Sequence, residues 1–393
     1  MTPTDQNEKP RISSIDLMRG IVMVIMALDH VRDYFHADAA LFDPTDMTQT
    51  NPALFYTRWI THFCAPTFVF LSGVSARIGL QRKSTKELSW LLFTRGVWLI
   101  VLEQTIFRFG FMFSWNYDML IFLVLWVIGG SMIILSGLIY LSPRIVLIIG
   151  LVLIFGHNAF DGLRLAPDEP GYGVWTFIMQ SGFVPPGTVV PYALIPWLGI
   201  LLAGYGAGTL YTEGVDASYR KKILFNAGLA ATILFIVIRA VNIYGDIAPW
   251  AVQKNTLFTI MSFMNTTKYP VSLLFTLMTL GPVLMILSWM EKSKSKALET
   301  VSVFGRVPLF YFVLHFYLIH AVALVLYMIT SGTPWSQIDF SFNTGLGGIP
   351  RGAGYDLGWT YVAWFGTILV MYPMCTWYNR YKSTHKSWWL SYL

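Results

Sequence analysis

The sequence predicts an all-α integral membrane protein, a polytopic bundle of about ten transmembrane helices with both termini cytoplasmic. Three observations carry that prediction. Of the 393 residues, 55% are hydrophobic and only 12% charged, with a mean hydropathy of +0.56; a soluble domain carries about 25% charged residues. The apolar runs are near-continuous and about 20 residues long, which suits helices rather than the alternating strands of an outer-membrane barrel. The basic residues, finally, cluster in alternate connecting segments, as membrane topology requires.

Taken in order, the spans run near 17–36, 58–80, 88–109, 118–141, 144–160, 191–211, 221–242, 268–290, 307–330 and 357–379. Only "LSPR" separates the fourth from the fifth, and Pro143 explains the break because proline does not sit comfortably mid-helix. With the N-terminus inside, the inner segments hold Lys9, Arg11, Arg77, Arg82, Lys83, Lys86, Arg144, Arg220, Lys221, Lys222, Lys292, Lys294, Lys296, Arg306, Arg380, Lys382 and Lys386. The outer segments hold only Arg58, Arg108, Arg164, Lys254, Lys268 and Arg351. That asymmetry supports an even number of spans with both termini cytoplasmic. The outer connections, 37–57, 161–190, 243–267 and 331–356, are long and rich in Pro, Gly and aromatics, and long loops often carry function. Neither an internal repeat nor a linker is visible, so residues 1–393 read as one domain with a polar cytoplasmic tail over 1–14.

Several classes lose weight. The net charge of +6 lies in short segments between apolar runs, which argues for topology and not for nucleic acid. The polar start "MTPTDQNEKPR", with no small-residue cleavage site after the first apolar run, gives no sign of a cleavable signal peptide. Two cysteines, Cys64 and Cys375, each within a span, make neither a disulfide framework nor a four-cysteine metal site. There is no Walker loop, no Gly-x-Ser-x-Gly elbow and no His-Glu-x-x-His motif.

The informative residues are the charges inside spans, each of which costs about 2.5–3.5 kcal/mol at a helix centre and so faces a cavity or a partner. In "LMRGIVMVIMALDHVRDYFH", Arg19 and His30 are eleven residues apart, three turns plus about 20°, so they share a face roughly 16 Å apart along the axis. Asp33 follows His30 by three residues on a neighbouring part of that face. Asp29 is better placed to meet Arg32 and Asp33, while Arg32 and His36 form an i,i+4 pair. A histidine with a carboxylate one turn away is the usual make-up of a general base. The second span places Arg58 and His62 on one face, is interrupted by Pro66, and offers Gly73 between Ser72 and Ser75 for close packing. Arg95 and Glu103 are about 80° out of phase and free to pair with other helices. Tyr311 and His315 share a face, and His320, about 140° away from His315, reads as a satisfied core histidine.

Three stretches, "RISSIDLMRG", "MALDHVRDYF" and "FCAPTFVFLSGVSA", resemble the bacterial branch of the heparan-alpha-glucosaminide N-acetyltransferase catalytic-domain family. The later "FGRVPLFYFVLHFYLIH" and the terminal "RGAGYDLGWTYVAWF" to "HKSWWLSYL" look like the same branch. The Arg19-x10-His30 spacing is also similar to a motif in the first helix of the acyltransferase-3 family. The resemblance implies a polytopic enzyme that moves an acyl group, typically acetyl, from cytosolic acyl-CoA to a sugar across the membrane. Asp16, Arg19 and Gly20 match the start of the family's first catalytic-domain helix. Lysosomal members carry asparagine where His30 stands and place the catalytic histidine further on, which points to His36 or His62. The acyltransferase-3 pattern points to His30 instead.

Acyl transfer from a thioester needs a base and donors for an oxyanion, and it needs no metal. The expected catalytic residues are therefore His30, Asp29, Asp33 and His36, with a carboxylate fixing the histidine tautomer. Arg32, Arg58, His62, Tyr311 and His315 are expected against the substrate. Arg19, Arg77, Arg82, Lys83 and Arg95 are expected to hold the phosphates of acetyl-CoA. The expected partners are the lipid bilayer and a saccharide or glycolipid acceptor held by the aromatic outer loops, and a homodimer is compatible with the sequence. A proton-coupled transporter using the same Asp, His and Arg groups as a relay is the main rival; a membrane scaffold is the third reading.

Overall fold

The computed structural model describes residues 13–291, 296–385 and 387–392. Fifteen α-helices are described: α1 (Ser13–Phe35), α2 (Pro52–Thr61), α3 (Cys64–Gly79), α4 (Thr85–Leu102), α5 (Arg108–Met112), α6 (Val124–Leu138), α7 (Pro143–Gly156), α8 (Tyr172–Trp175), α9 (Leu194–Ala207), α10 (Ala217–Val241), α11 (Thr256–Met264), α12 (Leu273–Met290), α13 (Lys296–Arg306), α14 (Pro308–Ser331) and α15 (Leu357–Thr384). The few strands are short. Leu120–Ile121, Gly182–Val184 and Thr188–Val190 form one small sheet, and Gly345–Leu346 pairs with Ile349–Pro350.

Seven helical stretches among the described residues are long and apolar enough to cross a membrane. They are Pro52–Gly79, Thr85–Met112, Pro143–Phe160, Leu194–Tyr211, Ala217–Val241, Leu273–Met290 and Pro308–Ser331. The protein is thus an all-α, multi-pass membrane protein, and the bilayer is its solvent. The other three expected spans are helices too. α1 has 23 residues but carries charge, α6 has 15, and α15 has 28 with a lower mean hydropathy.

Helix boundaries follow local chemistry. Asn51 and Ser142 cap α2 and α7, each with proline in the first turn, and Ser84 with Glu87 forms a capping box on α4. Pro66 falls in the first turn of α3, three residues past Phe63 in the break at His62 and Phe63 that separates α2 from α3. Glu103 opens a wide turn, Glu103–Phe107, and its carboxylate accepts from the backbone N–H groups of Leu123, Leu125 and Trp126 at 2.8–3.0 Å. A side chain in one span therefore caps the N-terminus of the next, which explains how its charge is accommodated.

Hydrogen bonds tie helix ends together at each end of the bundle. Ser14 donates to Glu291 (3.0 Å), Arg220 Nε donates to the same carboxylate (2.7 Å), and Gln81 reaches the Tyr211 carbonyl (3.3 Å). At the opposite end Tyr355 N–H donates to Phe35 O (2.7 Å) and Asn265 to Thr45 O (3.1 Å). Two helices lie inside expected connections: α11 within 243–267 and α13 within the basic segment before α14. α13 lies along α1 so closely that a Cβ on Gly20 would strike the Val301 carbonyl, and one on Gly305 the Asp16 carbonyl. The packing role expected of Gly73 is filled against α9, where a Cβ would strike Leu201 O and Tyr205 N.

Ser13 and Ser14, expected at the end of the tail, begin α1; residues 1–12 of that tail lie outside the described residues, as do Lys292, Lys294 and Lys386. Cys64 and Cys375 are buried and free.

Candidate functional site

A cavity of about 630 Å³ runs along one stripe of α1. Asp16, Arg19, Met23, Met26, His30 and Asp33 all line it, and their three- and four-residue spacing is that of a single helix face. The opposite walls come from α2, α3, α4, α6 and α14, among them Arg58, Phe68, Arg95, Leu125, Phe312 and Phe316. One open space therefore connects Arg19 to His30, about 16 Å apart at the helical rise of 1.5 Å per residue.

The Arg19 end is cationic. Arg19 donates to the Leu71 carbonyl (3.1 Å) and to Ser75 Oγ, and lies 3.9 Å from Asp16. Lys83, Arg95, Arg306 and Lys382 join it in the cavity wall. Five cations thus meet one carboxylate, Asp16, a net of +4 among the lining residues. Of the five residues expected here, Arg19, Lys83 and Arg95 line the cavity while Arg77 and Arg82 do not. Arg77 runs past Gly208 instead. In the sequence Arg306 and Lys382 mark only topology, and no local pattern marks them as cavity residues.

At the other end the carboxylates are held by arginines. Both oxygens of Asp29 accept from Arg58 Nη1, at 2.5 and 2.6 Å, and Arg32 Nη2 lies 3.0 Å from Asp29 and 2.6 Å from Asp33. These contacts tie α1 to α2. The Asp29–Arg32 contact is as the helical spacing led one to expect, whereas the Arg32–His36 side-chain pair does not form. His36 Nδ1 instead accepts from Asp38 N–H (3.1 Å), and the His36 backbone bridges to Tyr355. The connections leading into α9 and α12 contribute Tyr192, Lys268 and Tyr269 to this end, with the Lys268 ammonium 5.1 Å from the Tyr269 ring centroid. With Lys268 counted, Arg32 and Arg58 outweigh Asp29 and Asp33 by one charge.

Neither expected carboxylate holds His30. Its Nδ1 lies 2.6 Å from Nε2 of His315, whose own Nδ1 is 2.8 Å from the Tyr311 carbonyl. The His30 ring also packs on Phe316, centroids 4.0 Å apart. His315 and Tyr311 are fully buried behind His30 and do not line the cavity, so they are not in a position to touch a ligand there. His62 is likewise off the cavity, buried against Phe275. His320 places its nitrogens 2.9 Å from Gly110 O and 2.6 Å from Gly347 O, a core histidine tying α14 to α5 and to the turn after Leu346. Among the described residues no group of three or more His, Cys, Asp or Glu side chains is arranged to hold a metal ion.

A family model described as "Heparan-alpha-glucosaminide N-acetyltransferase, catalytic" matches residues 11–245, more than half of the chain. The chain belongs to that family, and it is a transferase-type membrane enzyme. The match takes in all of α1 and ends before α12, so the likeness read in α14 and α15 lies beyond the matched residues. No curated protein matches the chain.

Proposed function

We propose that the protein transfers an acetyl group from acetyl-CoA, bound at the Arg19 end of the cavity, to a hydroxyl or amine of a sugar or glycolipid at the His30 end. The observation that carries this reading is the single cavity joining a cationic cluster to a histidine. The phosphates of CoA bear about four negative charges, which the net of +4 at the Arg19 end complements. From there the pantetheine arm follows the stripe of α1, between Met23 and Met26 on one side and Leu125 and Phe312 on the other, towards His30.

His30 is preferred over His36 and His62 as the base because it alone of the three lines the cavity. The acceptor oxygen or nitrogen attacks the thioester carbonyl while His30 Nε2 takes its proton; the new C–O or C–N bond forms and the C–S bond breaks. The departing thiolate then receives the proton from His30, which leaves acetylated acceptor and free CoA. Lys268, Arg32 and Arg58 supply a net positive field where the oxyanion develops. In this reading the chain is one transmembrane domain with ten spans, both termini cytoplasmic, in a bacterial inner membrane. The basic segments at the Arg19 end then face the side where CoA is made.

The test is transfer of radiolabel from acetyl-CoA to glucosamine-terminated saccharides by the purified protein in detergent. His30→Gln is expected to abolish transfer, with His36→Gln and His62→Gln retaining it. Loss in His36→Gln alone would move the base to His36. Proton-dependent solute flux in liposomes without CoA binding would replace the enzyme by a transporter.

A further inference from the structure

We infer that His315 is a positioning residue that fixes the tautomer of His30 through a chain of hydrogen bonds ending on a backbone carbonyl. The inference rests on the reading of His30 as the base. Its starting point is the Tyr311 carbonyl, 2.8 Å from His315 Nδ1. A carbonyl oxygen only accepts, so His315 Nδ1 carries the proton and, in the neutral ring, Nε2 carries a lone pair. That Nε2 lies 2.6 Å from His30 Nδ1, so His30 Nδ1–H donates to it. Neutral His30 is then protonated at Nδ1 and bare at Nε2, the nitrogen left for the cavity.

Packing holds the chain in register. His315 is fully buried, its ring stacks on Tyr311 (centroids 5.1 Å, planes 20° apart), and Tyr311 lies one turn earlier on α14. His315 touches neither the cavity nor any carboxylate in an ion pair. Its acceptor is uncharged, which orients His30 without locking the transferred proton into an ion pair. That suits a base that must pass the proton on to a departing thiolate. The carboxylates one might assign this role, Asp29 and Asp33, are engaged by Arg58 and Arg32.

Two measurements test the assignment. In protein labelled with 15N-histidine, a coupling across the hydrogen bond between His30 Nδ1 and His315 Nε2 is expected, with His30 protonated at Nδ1. This readout needs no acceptor, and a His30 ring protonated at Nε2 overturns the proposal. In the transfer assay, His315→Leu is expected to lower kcat by about 100-fold with little change in KM, the scale of lost orienting partners. His315→Gln offers an amide oxygen near the position of Nε2 and is expected to recover activity to within about tenfold of wild type. Unchanged kcat in His315→Leu, or equal losses in Leu and Gln variants of matched thermal stability, would overturn the positioning role. Full transfer by His30→Gln would instead remove the base reading, a separate failure that the tautomer spectrum does not share.

Discussion

Asp29 is the hinge of the electrostatics at the His30 end, and its replacement gives a prediction with an internal asymmetry. Asp29 and Arg58 have side chains only 11% and 14% exposed and meet at 2.5–2.6 Å. Removing one partner of such a buried pair costs about 3–5 kcal/mol, because the other charge is left uncompensated. The two removals are not equivalent here. Asp29→Leu leaves Arg58 without a carboxylate at ion-pair distance among the described residues and is expected at that full cost, about 3–5 kcal/mol. Arg58→Met leaves Asp29 with Arg32 at 3.0 Å and is expected to cost less, roughly 2–3 kcal/mol. The double variant replaces the pair with apolar groups and should lose only about 1–3 kcal/mol, well below the sum of the singles. The assay is equilibrium unfolding in mixed micelles for the four proteins of the cycle. Equal single costs that add within about 0.5 kcal/mol would show that the pair is not coupled and refute the reasoning.

Three further outcomes follow from the same geometry. Lys83→Gln and Arg306→Gln should each weaken acetyl-CoA binding by about tenfold or more, read by calorimetry, with a smaller loss for 3′-dephospho-CoA; unchanged affinity would remove the cationic end from CoA binding. Glu103→Gln presents an amide N–H₂ to a backbone N–H where the carboxylate accepted three bonds, so it should cost about 1–3 kcal/mol in the micelle titration; Glu103→Leu should cost more, and equal stability of both to wild type would count against the cap. Gly73→Val would force α3 off α9 and should cost about 1–3 kcal/mol or more, measured the same way.

What the sequence made legible was the local part of the site. The spacing of Arg19 and His30 put them on one face of α1, and the structure has them lining one cavity. Helical periodicity carries that information because both residues sit on the same element. The partner of His30 was not legible in this way. His315 is 285 residues distant, so its lone pair meets His30 only through the packing of α14 on α1. The pattern instead suggested Asp29 and Asp33, which are neighbours in sequence but belong to Arg58 and Arg32. α13 was hidden for another reason. Leu298, Val301 and Phe304 recur at three-residue spacing, but a short run rich in Lys and Ser between two spans reads as a loop. Arg306 and Lys382 carry in the sequence only the charge that marks a side of the membrane, a property that says nothing about which cavity they line.

Transfer across a sealed membrane tests the central proposal most directly. Protein reconstituted in tight vesicles is given labelled acetyl-CoA outside, with a glucosamine-terminated oligosaccharide enclosed. Label on the enclosed saccharide with wild type, and none with His30→Gln, is the result expected if the cavity along α1 is the acyl path. Label transfer only when acetyl-CoA and saccharide share one side, or equal transfer by His30→Gln, would contradict it.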